Sequence, residues 1–356
     1  MIAENRKEAG WSRKGKLEAE STGGAQSVTS LQMNGEGGAV SLLERVLDRN
    51  NLNRAYKRVK QNGGAPGIDG MTCGELLNYL SKHGKVLIAA LSQGTYRPQP
   101  VKRVAIPKPE GGTRQLGIPT VVDRVIQLAI VQILEPIFEP EFSEQSFGFR
   151  PCRNGHQAIS KAREYYEEGY RYVVDIDLAK YFDTVNHDLL IEMLREHVKD
   201  ERLISLIRKY LKSGVMEDGM VSPTDKGTPQ GGNLSPLLSN IYLTRFDRLL
   251  TSRGHKYVRY ADDCNIYVRS QRAALRVMSS SKRYLEEVLK LRVNTEKSTV
   301  GSPLVLKFLG FTLYEGRNGI GILAHWESLR RFKSKLKYFT RRNQGIGSTL
   351  KYRTVC

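Results

Sequence analysis

Val258-Arg-Tyr-Ala-Asp-Asp-Cys-Asn-Ile-Tyr-Val268 (VRYADDCNIYV) sets two adjacent carboxylates between two β-prone runs. Valine, tyrosine and isoleucine on either side predict strands at 256–260 and 264–269, and the short polar centre predicts the hairpin turn joining them. Aspartate tolerates turn dihedrals that most residues avoid, so one of the pair is explained by the turn itself. The second is not. Two carboxylates about 4 Å apart repel by roughly 4 kcal/mol at an effective dielectric of about 20, and something must offset that repulsion.

Upstream, residues 170–185 read YRYVVDIDLAKYFDTV and predict a strand whose apolar centre ends in Asp175 and Asp177. Alternate strand residues share a face, so these two acids do. If this strand pairs beside the hairpin, three carboxylates converge on one point. A bare cluster is untenable, but it suits hard divalent cations, which take oxygen ligands. Two Mg²⁺ ions about 3.5–4 Å apart can activate a 3′-hydroxyl and steady a leaving pyrophosphate in an in-line displacement. A polar turn accounts for Asp262 and Asp263 taken alone; the strand acids and the charge of the whole chain weigh against that simpler account.

That charge is +19, from 56 basic and 37 acidic residues in a chain of 356. Such an excess favours a polyanionic partner, nucleic acid first and an anionic membrane surface second. An apolar content of 40% suffices for a sizeable core and two or three subdomains. No apolar run approaches the 18 or so residues that span a bilayer, and the opening MIAENRKEAGWSRKGKLEAE lacks the apolar stretch of a secretory signal. Cys73, Cys152, Cys264 and Cys356 lie far apart, with no pair spacing that suggests a zinc site or a disulfide framework. A reducing, cytoplasmic setting in association with nucleic acid is expected.

Residues 1–40 form a polar leader whose composition predicts disorder. Two amphipathic helices follow, with apolar faces marked by Leu42, Leu43, Val46 and Leu47 and by Leu52, Ala55, Tyr56 and Val59. Asn51 is expected to cap the second and Gly63-Gly64 to end it; Arg54, Lys57 and Arg58 fall on its outer face, where ordinary solvation is the plain account. VKRVAIPK and TRQLGIP predict a basic hairpin flanked by Lys108 and Arg114, then a long helix from about Val121. Helices are expected near 155–168, 187–213 and 271–290, and another with Ser235 as N-cap and Pro236 at its first position. Helices mixed with an antiparallel sheet give an α+β class. From Ser328 to Cys356 the chain carries nine Lys or Arg and no acid.

Tyr260-Ala261-Asp262-Asp263, with DIDLAKYFD and GTPQGGNLSPLLSNIYL, resembles the bacterial group II intron-encoded reverse transcriptase/maturase family, over about Leu42 to Tyr314. The resemblance implies a right-hand polymerase. Helical fingers with an N-terminal template-binding extension would occupy 41–150, a palm with an antiparallel sheet 151–315, and the basic start of a helical thumb 316–356. Family members continue into the rest of that thumb, and some into an endonuclease domain. The implied activity is RNA-directed DNA polymerase, with an RNA template (intron RNA foremost), a DNA or RNA primer, dNTPs, and two Mg²⁺ ions for which Mn²⁺ substitutes.

Carried over by position, Asp177, Asp262 and Asp263 match the catalytic, metal-binding aspartates. Asp177 is preferred to Asp175 because the family places an aromatic residue five positions later, where Phe182 stands. Phe182 matches the ring that rejects a 2′-hydroxyl, with adjacent Tyr181 the alternative ring and core packing the plain account. Lys108 and Arg114 match fingers cations that meet the triphosphate. Gln230, in the GTPQGG loop, matches a polar group near template and nucleotide, and Lys297 resembles a lysine near the pyrophosphate, unless it is simply exposed. Arg54, Lys57 and Arg58 lie in the block that helps hold the RNA template. Two rivals stand: an RNA-binding splicing cofactor with a vestigial site, and a related bacterial reverse transcriptase serving defence or diversification.

Overall fold

The computed structural model describes residues 40–107, 112–217, 220–222, 226–228 and 231–340. The expected leader, Lys108, Gln230 and the basic tail beyond 340 lie outside the described residues. The predicted helix pair forms as α1 (Leu42–Leu47) and α2 (Arg49–Asn62). Asp48, not Asn51, caps α2, accepting from the N–H groups of Asn50 and Asn51. Asn51 falls where the helix meets its neighbours and is only 2% exposed, so its amide donates instead to the carbonyls of Val46 and Ala129. Gly63, at φ 62°, ends α2 as expected.

After α3 (Leu76–Ser92) come β1 (Val101–Pro107) and β2 (Thr113–Ile118), the predicted hairpin, then α4 (Val121–Phe138), capped by the Thr120 hydroxyl. Apolar almost all round, α4 is buried along most of its length, and α2 packs on it. A short 3-10 turn (Glu139–Glu141) leads towards α5 (Gly155–Glu167), β3 (Tyr172–Ile176), α6 (Tyr181–Thr184), α7 (His187–His197) and α8 (Glu201–Leu211). Two three-residue strands follow, β4 (Val215–Glu217) and β5 (Met220–Ser222), which the sequence pattern did not predict. The chain continues as α9 (Ser235–Ser252), β6 (Lys256–Tyr260), β7 (Asp263–Val268) and α10 (Gln271–Arg283), with a π-turn at Tyr284–Val288. Then come β8 (Thr299–Gly301), β9 (Phe311–Gly316), β10 (Gly319–Ala324) and α11 (Trp326–Phe339). Ser235 lies inside α9 rather than capping it; Leu234 takes the cap position without a side-chain bond. Burial of Leu234, Leu237 and Leu238 in the core sets where that helix starts.

The central sheet runs β6-β7-β3-β8 and is antiparallel throughout. Its period-2 alternation feeds two cores. Val174, Ile176, Cys264 and Ile266 join the large core with α9 and α10, whereas Val173, Val258 and Tyr267 face α5 and Leu313 of β9. A second sheet, β2-β1-β4-β5, pairs β1 with β4 in parallel and so ties the basic hairpin to the segment after α8. The class is α+β, as expected. Among the described residues no helix is long and apolar enough to cross a membrane.

Candidate active site

The turn is tighter than its polar centre foretold. Tyr260 pairs with Asp263, so Asp263 opens β7 and only Ala261 and Asp262 make the loop. The left-handed backbone falls on Ala261 (φ 58°), not on an aspartate. An L-residue there costs about 1–2 kcal/mol, and its surroundings hold it in place. Gly148 lies directly against the turn: a Cβ on it would overlap the Ala261 nitrogen and come within 2.9 Å of the Tyr260 carbonyl carbon.

Strand β3 runs between β7 and β8, with Asp175 opposite Asn265 and Thr299. Asp177 follows the strand's last residue. Its N–H donates to Ser298 Oγ at 3.0 Å, and its carbonyl accepts the Asn294 N–H at 2.9 Å. The same seam continues through Ala179 N–H to the Arg292 carbonyl, 2.8 Å, and carries Lys297 to the acids.

These acids feel one another. Burial first, and then the charges of Asp263 and Asp177, push Asp175 up to about 7. Asp263, the first residue of β7, is pushed up to about 6 by the desolvation of its carboxyl and then by Asp262 and Asp177. Asp262 is raised in the same way, burial leading, with Asp177 adding to it. Arg114 opposes the rise at Asp262 and Asp263, and Lys297 at Asp263. Asp175 is thus coupled electrostatically to Asp263 and Asp177. Among the described residues, no three His, Cys, Asp or Glu are gathered closely enough to hold a metal ion. Half-buried, mutually repelling oxygen donors are nevertheless the donor set that a hard divalent cation takes.

The two candidate rings part company. Tyr181 is 2% exposed and donates its hydroxyl to the Ser239 carbonyl at 3.1 Å, so it is core. Phe182 lines a cavity of about 150 Å³ with Arg103, Gln115, Gly117, Lys226 and Gly227. The residues before Gln230 are strapped to this ring's turn, since Thr228 N–H donates to the Phe182 carbonyl (2.6 Å) and Gly227 N–H to that of Val185 (2.8 Å). Gly227 adopts φ 90°, and a Cβ there would meet the Phe182 oxygen at 2.7 Å. Arg54, Lys57 and Arg58 are exposed on the side of α2 away from its buried stripe of Asn51, Ala55 and Val59. They stand on α2 rather than among the acids. A larger cavity of about 590 Å³, lined by Glu141, Tyr165, Asp247 and Lys256 among others, contains none of Asp175, Asp177, Asp262 and Asp263.

Sequence reasoning overlooked Ser298, Gly148 and Arg259. Nothing marks a serine beside Lys297, or a glycine beside an aromatic residue, as a neighbour of distant acids. Arg259 did carry a signal: a charge amid an otherwise apolar β-run.

Residues 106–313 match the family described as reverse transcriptase (RNA-dependent DNA polymerase). The chain is 35% identical over 297 residues to Protein YkfC of Escherichia coli, an alignment covering 72% of this chain and 77% of that protein. It is 39% identical over 206 residues to group II intron-encoded protein LtrA of Lactococcus lactis subsp. cremoris, covering 58% of this chain but only 34% of LtrA. Among solved structures, telomerase from Candida albicans, in complex with a TWJ fragment of telomeric RNA, aligns with a TM-score of 0.50. That alignment covers 74% of this chain and 55% of the telomerase at 12% identity, a likeness of fold alone.

Proposed function

The chain belongs to the reverse transcriptase (RNA-dependent DNA polymerase) family, and from that premise we propose that it copies an RNA template into DNA at the cluster of Asp177, Asp262 and Asp263. One observation carries this: where β3 ends beside the β6–β7 turn, burial and then neighbouring carboxylate charge, that of Asp177 included, raise Asp175, Asp262 and Asp263, and Arg114 and Lys297 oppose the rise at the turn. A splicing cofactor with a vestigial site would have no use for carboxylates that repel one another.

Reverse transcriptases as a family use divalent metal ions. In our reading Asp177, Asp262 and Asp263 hold two of them, Mg²⁺ with Mn²⁺ as substitute, and the ions supply activation of the primer 3′-hydroxyl and neutralisation of the departing pyrophosphate. Asp175 deepens the negative field from within the sheet. Arg114 and Lys297 meet phosphate charge as it develops, with Lys108 and Gln230 joining them by position. Phe182 closes the sugar side of the pocket. Residues 41–150 act as fingers, 151–315 as palm and 316–356 as the start of a thumb. The exposed cations Arg54, Lys57 and Arg58 hold the RNA backbone. The name of LtrA supports intron RNA as the template, and the charge of +19 supports an RNA-bound existence in the cytoplasm.

The test is primer extension on poly(rA)/oligo(dT) with Mg²⁺. Asp177→Asn and Asp262→Asn are each expected to lose about a thousandfold or more in rate while binding primer–template as tightly as the parent, and Asp175→Asn to lose less. Near-normal extension by either of the first two would sink the assignment. If Asp175→Asn were dead and Asp177→Asn active, the choice between these two acids would be reversed.

A further inference from the structure

Arg259 sits on β6 two residues before Ala261, where the turn begins, and it is 0% exposed. Its Nε and Nη2 donate to Asp247 of α9 at 2.8 and 2.6 Å, and Asp247 is 1% exposed. Its Nη1 donates to Asn240 Oδ1 at 3.0 Å and to the carbonyl of Ala261 at 2.8 Å. Asn240, also 0% exposed, donates in turn to the Gly148 carbonyl at 2.9 Å. One guanidinium therefore joins α9 to the single turn residue that stands in the left-handed region, immediately before Asp262.

Stability alone gives little reason for such a pair. Taking both charges out of water costs more than an apolar pair of the same volume would. What an apolar pair cannot supply is direction, because the planar fork accepts few orientations and fixes several acceptors at once. Ala261 needs that direction. Its backbone conformation is one that side chains with a Cβ rarely adopt, and Gly148 presses on it from the other side. We propose that Arg259 is a positioning residue for polymerisation: through the Ala261 carbonyl it locks the turn bearing Asp262 and Asp263 to α9, and so sets both carboxylates against Asp177. This rests on the reading of those three aspartates as the polymerase acids.

Arg259→Lys tests it. The lysine keeps a positive charge beside Asp247 but lacks the fork that reaches Asn240 and Ala261 together. On poly(rA)/oligo(dT), kcat is expected to fall about ten- to a hundredfold, the loss that a small misplacement of reacting groups produces. The KM for dTTP and the Kd for primer–template should each stay within about twofold, the pattern of a contribution to the chemical step rather than to binding. Amides at 260–264 should exchange hydrogen faster while those of α4 keep their protection. Asp247→Asn, linked to the turn through Arg259, is expected to move kcat and the exchange in the same direction.

An unchanged kcat in Arg259→Lys, or kcat and primer–template binding falling together, overturns the proposal. If Arg259→Lys does not fold, Asp247→Asn decides alone, and an unchanged kcat there overturns it. Asp262→Asn is measured alongside. If Asp262→Asn is active, the assignment of the acids itself fails; if it is inactive and Arg259→Lys is fully active, only the positioning role fails.

Discussion

Cutting Phe182 back to alanine separates two uses of one ring. The ring packs edge-on against Tyr181, with centroids 5.2 Å apart, and its free side lines the cavity of about 150 Å³. A fully buried phenylalanine costs about 3–5 kcal/mol when truncated; with one side already open, roughly 2 kcal/mol is expected here. Tyr181 keeps its bond to Ser239, so the core beneath stays filled. Discrimination by a pocket wall against one small group is worth about 1–3 kcal/mol, or 10–200-fold in kcat/KM. Phe182→Ala should therefore lower the ratio of kcat/KM for dGTP over rGTP by that factor, mainly by accepting rGTP, while dGTP incorporation persists. Single-nucleotide extension below the variant's own melting temperature gives both constants. A ring that only packed would depress both activities together and leave the ratio alone. An unchanged ratio in a folded, active variant refutes the gate. Because Tyr181 is buried, the gate would then have to be sought among the other residues lining the cavity.

Neutralising Arg54, Lys57 and Arg58 together should flatten the plot of log Kd for RNA against log salt by about 2, from about 0.7 per phosphate on a single strand; an unaltered slope makes that face mere solvation. Gly148→Ala should abolish extension and lower the melting temperature, since the added carbon meets backbone at Tyr260 and Ala261 with no flexible atom to yield; an active, stable Gly148→Ala would mean the turn is free to move. Asp175 has a folded pKa near 7 against 3.8 for the free group. Its ionisation therefore costs stability that is intact below the lower value and lost as pH rises through the upper one. In EDTA, Asp175→Asn should raise the melting temperature more at pH 8 than at pH 5, and an equal or negative change at both would show that the site does not resist its own charge.

Much of this was legible because local pattern and burial agreed. The alternation around Asp175 and Asp262, the 3.6-residue spacing of α1 and α2 and the glycine ending α2 each pointed where the chain went. What escaped was non-local. β4 pairs with β1 over only two residues, too few to leave any periodicity, and its partner lies on the far side of two strands, five α-helices and a 3-10 turn in the chain. Asn51 looked like a cap because its type favours one, yet contact with α4 claimed its amide. Aspartate looked like the turn's strained residue, yet Ala261 took the positive φ because Arg259 and Gly148 hold it there. Tyr181 and Phe182 are indistinguishable by type, and only the bond to Ser239 tells which one is core.

The order of the central sheet bears on how the chain is made. β3 ends up flanked by β7 and β8, and Ser298, which holds Asp177, lies 121 residues downstream of it. At roughly 5–20 residues per second, β3 leaves the ribosome about 6–24 s before that partner exists. Until β7 emerges both edges of this Val173, Val174 and Ile176 run lack a partner, and the β8 edge lacks one through the whole interval, the kind of edge that pairs with a copy of itself on a neighbouring chain. Asp175 lies within that run and Asp177 just past it. Two such strands laid together in register would bring like charges face to face. The acids that meet at the heart of the finished fold thus guard the same strand while it waits for its neighbours.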